Sequence, residues 1–227
     1  MSPEASAVLA ARDARLALAI DVLGPYVHRA QRGSPYEALL SAIAHQQLHG
    51  KAAAAILSRL RALYPGARYP TPAQLLATPD ASLRGTGLSR AKLLAMKDVA
   101  ARTLDGTVPD RRRLARLPDA AVIERLVAVR GVGRWTAEML LMFTLGRPDV
   151  LPVGDFGIRY GFQLLYGKRS EPTPKALAVY GERWAPYRTT ASWYLWRWVE
   201  HVRAARATAA NAGAPGADTA RRRRAGV

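Results

Sequence analysis

Gly131-Val132-Gly133, followed by Arg134, Trp135 and Thr136, is the stretch of this chain best suited to hold a phosphate. A Gly-x-Gly turn that opens a helix presents backbone N–H groups with no Cβ in front of them, and these take an anion without side-chain charge. Both glycines permit positive φ. Arg134 and Thr136 fall in the first turn of the next helix, where guanidinium, hydroxyl and dipole favour the same anion. A lone carboxylate, Asp155, follows Trp135 by twenty residues and directly precedes another helical segment. A carboxylate fixed by the amides it caps stays ionised, and it can stabilise positive charge developing on a sugar and orient water. A plain interhelical turn and an ordinary N-cap would use the same residues. The combination also suits gripping a sugar–phosphate backbone and doing chemistry beside it.

The elements that must position these groups read as helices. An Ala/Leu-rich segment capped at Ser2-Pro3-Glu4 runs to about Leu23, and Ser34-Pro35-Tyr36-Glu37 is a capping box that opens a helix to about Leu48. Lys51 to Leu63 carries Ala54, Ile56, Leu57 and Leu60 at helical spacing. Thr71-Pro72, Ser89 and Asp119 read as caps, the latter two opening helices to about Leu104 and Val129. Further helices are expected over Arg134 to Leu145, Phe156 to Tyr166, Thr173-Pro174 to Trp184 and Tyr187 to about Val202. No alternating run is long enough to argue for a sheet, so the fold class is all-α. A second glycine turn, Gly85-Thr86-Gly87-Leu88-Ser89, adds weight to the phosphate reading of the first.

Composition points the same way. With a net charge of +17 on 227 residues the chain favours a polyanion, whose neutralised phosphates release condensed counterions. Residues 203–227 hold six arginines against one acid, Asp218, and removing them still leaves a basic body. Residues 205–227 lack apolar periodicity and read as a disordered basic tail. The absence of cysteine excludes disulfides, thiolate zinc sites and iron–sulfur clusters. No apolar run approaches the ~18 residues of a membrane span and no signal peptide is evident, so a cytoplasmic, membrane-independent protein is expected. Trp184, Tyr187, Trp193, Tyr194, Trp196 and Trp198 fall within fifteen residues. Core packing accounts for most of them, and one or two could wall a pocket for an extruded base.

Ile43-Ala44-His45-Gln46-Gln47-Leu48, Gly87-Leu88-Ser89-Arg90-Ala91-Lys92, Gly131 to Ala137, Asp155, Trp184-Ala185-Pro186-Tyr187-Arg188 and Trp193-Tyr194-Leu195-Trp196 follow one another between residues 35 and 200. In type, order and spacing they resemble the helix–hairpin–helix DNA glycosylase superfamily, and within it the 3-methyladenine DNA glycosylase II group. The resemblance implies two helical subdomains with a DNA-binding cleft between them over residues 1–204, without an N-terminal β domain. It implies that Asp155 is catalytic and that Trp135, Trp196, Tyr36 and Met139 form the base pocket. It assigns DNA contact to Gln46, Gln47, Leu48, Arg130, Gly131, Gly133, Arg134 and Thr136, with Gln46 to Leu48 filling the gap left by the extruded nucleotide.

Members that also cut the strand carry a Schiff-base lysine where Trp135 stands. Tryptophan cannot play that part, so the resemblance implies a monofunctional, water-using glycosylase for alkylated purines in base excision repair. The implied partner is double-stranded DNA with alkylated bases, bound by a monomer. No cofactor is implied beyond a structural monovalent cation that the family hairpin can hold through backbone carbonyls. Arg130 stands where the family usually has proline, and His49 where a small serine commonly follows the Gln-Gln segment. The rival readings are a glycosylase for other damaged bases with AP-lyase activity, and a non-catalytic helix–hairpin–helix DNA-binding protein.

Overall fold

Local capping signals dictate most of the helix starts. In the computed structural model, which describes residues 4–212, every regular element among the described residues is helical. The Ser34 hydroxyl accepts from the Glu37 amide while Glu37 Oε2 accepts from the Ser34 amide, closing the expected capping box on helix Pro35–His45. Thr71 and Gln74 close a second box on Pro72–Ala77, and Ser89 caps Arg90–Leu104 through the Lys92 amide. No helix among the described residues is long and apolar enough to cross a membrane.

The chain divides into two compact units. The first comprises Val27–Pro152 and Ala185–Thr189. Its helices Pro35–His45, Gly50–Ala62, Pro72–Ala77 and Arg90–Leu104 bury Leu39, Leu40, Ile43, Leu60, Leu75, Leu93, Met96 and Val99, all essentially inaccessible. Two short helices, Asp80–Gly85 and Arg111–Leu114, have too few residues to show a period and are not expected from the sequence. Asp119 is the first helical residue of Asp119–Val127 rather than its cap, which is Pro118. Its carboxylate reaches Arg147 at 3.2 Å instead.

The helix expected over Arg134 to Leu145 is α-helical only over Arg134–Met139 and continues as a π-helical turn, Leu140–Leu145. Gly146 ends it at φ 75°, its N–H bonded to Leu141 O. The carbonyls of Met142 and Phe143 are taken by residues far back in the chain, His28 Nε2 at 2.7 Å and the Gln31 amide at 2.6 Å. Orphan carbonyls at a helix end need such partners.

His28 is 4% exposed, and burial holds its imidazole below the ordinary histidine range, with the Met142 hydrogen bond pulling the other way. Unfolded histidine titrates near ~6.5, so the neutral folded form contributes stability that is present above that pH and lost as the unfolded chain takes up the proton below it. Urea unfolding at pH 7.5 and 5.5 is expected to show a loss of stability at the lower pH that His28→Gln flattens. An unchanged pH dependence in that variant would remove His28 from the account.

The second unit comprises the described residues of 3–26, 153–184 and 190–227. The single helix expected up to Leu23 is interrupted at Asp13, which caps Ala14–Leu23 after Glu4–Arg12 has ended. Ser2 and Pro3 lie outside the described residues. The helix expected to end near Val202 runs over Arg188–Ala212, its first two residues grouped with the first unit. Residues 205–212, expected in the disordered tail, are helical instead: alanines 204, 205, 207, 209 and 210 are strong helix formers, and no glycine intervenes before position 213. Residues 213–227 lie outside the described residues.

Phe156–Leu165 approaches the closing helix through two glycines one turn apart. A Cβ on Gly161 would lie 2.3 Å from the carbonyl oxygen of Leu195, and one on Gly157 would lie 2.9 Å from the Trp196 ring. Backbone cannot swing aside as a side-chain end can, so Gly161→Ala is expected to cost about 3 kcal/mol or more, the upper end for overpacking. Denaturant melts of the variant check this, and a cost under about 1 kcal/mol would show that the two helices separate easily.

Candidate active site

In the second unit, Asp155 is the N-cap of Phe156–Leu165, and its Oδ1 accepts from the Ile158 amide at 2.8 Å. The same oxygen accepts from the indole Nε1 of Trp196 at 2.9 Å. The first bond is written locally, three residues along the chain. The second spans forty-one residues and exists only because Gly157 leaves room: a Cβ there would lie 3.1 Å from both Trp196 Nε1 and Asp155 Oδ1. Two donors on one oxygen fix the rotation of the carboxylate. Trp196, expected as a stacking wall, thus has its N–H edge committed to the carboxylate. The Gly157-Ile158-Arg159-Tyr160-Gly161 spacing was the sequence signal for this close approach, and sequence reasoning missed it.

In the first unit, the hairpin turn is held from behind. Gly131 takes φ 76°, and a Cβ on it would meet Ala95 Cβ at 2.9 Å. The Arg130 amide donates to Asp98 Oδ2 at 2.7 Å, and Gln46 Nε2 donates to Gly131 O at 2.8 Å. Gly133 departs from expectation in being extended, at φ −90°, with no atom within 4 Å of an added Cβ. As N-cap of Arg134–Met139 it supplies no side chain to the first-turn amides. This open backbone at a helix start is what an anion needs.

The Gln46-Gln47-Leu48 segment leaves the helix earlier than expected, at His45, and turns with Gln47 at φ 56°, a conformation costly for a residue with a Cβ. Lys92 Nζ donates to the Ala44 carbonyl at 2.7 Å and steadies this end; burial lowers its pKa. Leu48 and Trp135 remain 40% and 48% exposed, large apolar groups presented by the turn and the hairpin helix.

Other expected residues land elsewhere. Arg134 is exposed and pairs with the buried Glu138 at 2.9 Å. Thr136 is buried, on the inner face of its helix, and with Met139, Leu140 and Phe143 it lines a hollow of about 190 Å³ that Gln31 and Ser41 also border. Tyr36 does not join it. Its ring is in the core beside a separate hollow bounded by Thr103, Leu104 and Val108, its hydroxyl has no partner among the described residues, and burial pushes its pKa up. The second glycine turn is closed: the Arg59 guanidinium donates to Thr86 O at 2.7 Å and sits 2.8 Å from where a Gly87 Cβ would be. That turn is packed against its own unit, unlike the open one at Gly133.

The hairpin residues Gly131 to Thr136 and the capped Asp155 both fall within the stretch that matches a known family. The family described as HhH-GPD superfamily base excision DNA repair protein matches residues 40–186. The chain belongs to this superfamily. The DNA-3-methyladenine glycosylase 1 of Schizosaccharomyces pombe is 40% identical over 167 residues, 74% of this chain and 73% of that protein. Among solved structures, the S. pombe 3-methyladenine DNA glycosylase in complex with abasic DNA superposes with a TM-score of 0.78 at 36% identity, covering 86% of this chain and 95% of that one. The Bacillus halodurans DNA-3-methyladenine glycosidase superposes at 0.77 with 39% identity, covering 86% and 88%. Within this HhH-GPD chain, position 135 carries an indole and offers no amine for a Schiff base.

Proposed function

We propose that this chain is a monofunctional DNA glycosylase that hydrolyses the N-glycosidic bond of alkylated purines, of the 3-methyladenine and 7-methylguanine type, in duplex DNA during base excision repair. The observation that carries it is the Asp155 carboxylate, fixed by the Ile158 amide and the Trp196 indole, in an HhH-GPD chain with tryptophan at position 135. The names of the most similar relatives support the substrate class.

In this reading the amides at Gly133 and Arg134 hold a backbone phosphate, and Leu48 and Gln47 fill the space of the extruded nucleotide. Extrusion costs a few kcal/mol, least where alkylation has already weakened pairing or stacking. Trp135 stacks on the damaged base, and a cationic alkylpurine gains about 0.5–2 kcal/mol on an electron-rich ring. The C1′–N bond breaks with its electron pair leaving on the base, a good leaving group once alkylated. Asp155 stabilises the oxocarbenium-like sugar. Water then adds to C1′ and gives up a proton, leaving an abasic site on an unbroken strand. The carbonyls of Val129 and Gly131 each already accept one hydrogen bond. They retain one lone pair apiece with which a structural monovalent cation would be held, outside the chemistry. The protein acts as a cytoplasmic monomer.

Incubation with DNA methylated at purine nitrogens is expected to release 3-methyladenine or 7-methylguanine, identified chromatographically, without strand scission. Scission at the abasic product would sink the monofunctional assignment, and release of neither base would sink the glycosylase itself. With about six neutralised phosphates, affinity for duplex DNA is expected to fall on the order of 10³-fold between roughly 50 and 200 mM salt, and a flat titration would show that the basic surface does not hold the backbone.

A further inference from the structure

Three residues at i, i+3 steps along Arg90–Leu104 each hold part of the hairpin or of the turn beside it, all within the first unit. Lys92 Nζ donates to Ala44 O at 2.7 Å, and Ala95 packs where its Cβ would lie 2.9 Å from a Cβ on Gly131. Asp98 Oδ2 takes the Arg130 amide at 2.7 Å. Gln46 joins the two turns by donating to Gly131 O at 2.8 Å. Val132 is fastened through its own amide to Val129 O at 3.0 Å, with its side chain buried. At Gly133, the next residue, an added Cβ would meet no atom within 4 Å. The hairpin has a fixed base and an open tip.

Asp98 is the unexpected member of this set. A carboxylate near a phosphate-binding turn repels the ligand, so on charge alone the position disfavours DNA. Its side chain is 28% exposed and its other oxygen lies 3.8 Å from Arg102 Nε, so solvent and one guanidinium offset part of that repulsion. In exchange, a charged acceptor holds a backbone amide, one of the stronger kinds of hydrogen bond. The tie needs an N–H at position 130, which arginine supplies and proline would lack.

Resting on the reading of the hairpin as a phosphate grip, we propose that Asp98 is a positioning residue for DNA binding. By holding the Arg130 amide it sets the turn, so that the amides of Gly133 and Arg134 are aimed before a phosphate arrives. Groups already fixed in their bound geometry lose little further freedom on association, and this gain exceeds the repulsion. Asp98 acts through the backbone and touches no nucleotide.

The two effects of Asp98 differ in sign, so equilibrium binding of the full chain to a duplex with a stable abasic-site analogue separates them. Asp98→Ala removes both charge and tie, and is expected to weaken binding about three- to ten-fold, as when one more group must be ordered on association. Asp98→Asn removes the charge but keeps an acceptor for the Arg130 amide, and is expected to bind at least as tightly as wild type. NMR-detected hydrogen exchange gives a second readout on the free protein. Exchange of the Arg130 amide is expected to rise on the order of ten-fold in Asp98→Ala. It stays protected in Asp98→Asn, and the amides within Arg90–Leu104 are unchanged in both. Measuring below the melting onset of each variant keeps unfolding out of either readout.

The proposal is overturned if Asp98→Ala binds as tightly as wild type or more tightly, since charge alone would then describe the position. It is equally overturned if Asp98→Asn loses as much affinity as Asp98→Ala. Gly133→Glu tests the reading beneath it by placing a carboxylate at the open tip. Wild-type affinity in that variant would show that the hairpin grips no phosphate, whereas a large loss there with Asp98→Ala unaffected would sink the positioning role alone.

Discussion

Asp155→Asn is expected to lower single-turnover release of 3-methyladenine by about 10²–10³-fold, the usual loss when one preorganised electrostatic stabiliser is removed. The substitution is chosen because it changes charge and little else. Asparagine is as good an N-cap as aspartate, and its side-chain oxygen can still accept from the Ile158 amide and the Trp196 indole. Stability is therefore expected to stay within about 0.5 kcal/mol of wild type, so a lost rate cannot be ascribed to unfolding. Trp196→Phe makes the complementary change: the carboxylate keeps its charge but loses the donor at 2.9 Å that sets its rotation. Its release rate is expected to fall less than that of Asp155→Asn. Chromatography of the freed base beside a thermal melt decides both. Asparagine releasing base at the wild-type rate would remove Asp155 from the chemistry.

What could be read from the sequence was written within a few residues. The Asp155 cap, the Ser34–Glu37 box and the Gly131 turn each depend on groups no more than three positions apart, and their residue types have few other uses there. What could not be read depends on partners distant in the chain. The indole that grips Asp155 comes from position 196, and nothing in a cluster of six aromatics distinguishes the one whose N–H finds the carboxylate. The π-helical turn at Leu140–Leu145 has an ordinary helical pattern in sequence, and its carbonyls are taken by His28 and Gln31 more than a hundred residues earlier. The Gly85–Ser89 element shows the converse failure: a phosphate-like turn by composition, it is filled by Arg59. Glycine permits a bare backbone, and only the fold decides whether something else already covers it.

The break at Asp13 hides in the same way inside an apolar helical pattern, and it carries the second large effect. Asp13 is 6% exposed, and its Oδ2 accepts from Tyr166 Oη at 2.7 Å, Trp184 Nε1 at 2.9 Å and Tyr180 Oη at 3.2 Å, while Oδ1 takes the Arg15 and Leu16 amides. Burial alone would raise the Asp13 pKa, but donation from Trp184, Tyr166 and the two amides outweighs it and holds the carboxyl below its ordinary range. Asp13→Ala leaves the Trp184 and Tyr166 donors buried without a partner, at about 1–3 kcal/mol each, and removes a cap worth about 1 kcal/mol. A loss of roughly 3–7 kcal/mol is expected, a large part of the 5–15 kcal/mol that holds a typical domain together. Asp13→Asn keeps the cap and an acceptor, but its new amide N–H faces an indole that can only donate, so an intermediate loss is expected. The pH dependence separates charge from shape. With a folded pKa below the unfolded value near 3.8, ionised Asp13 contributes stability that is fully present above that pH and lost as pH falls through the folded value. Urea unfolding at pH 7 and pH 3 should therefore show wild type and Asp13→Asn converging at the acid end. If Asp13→Ala lies within about 1 kcal/mol of wild type at pH 7, or if the gap to asparagine persists undiminished at pH 3, the carboxylate is not what holds these three rings together.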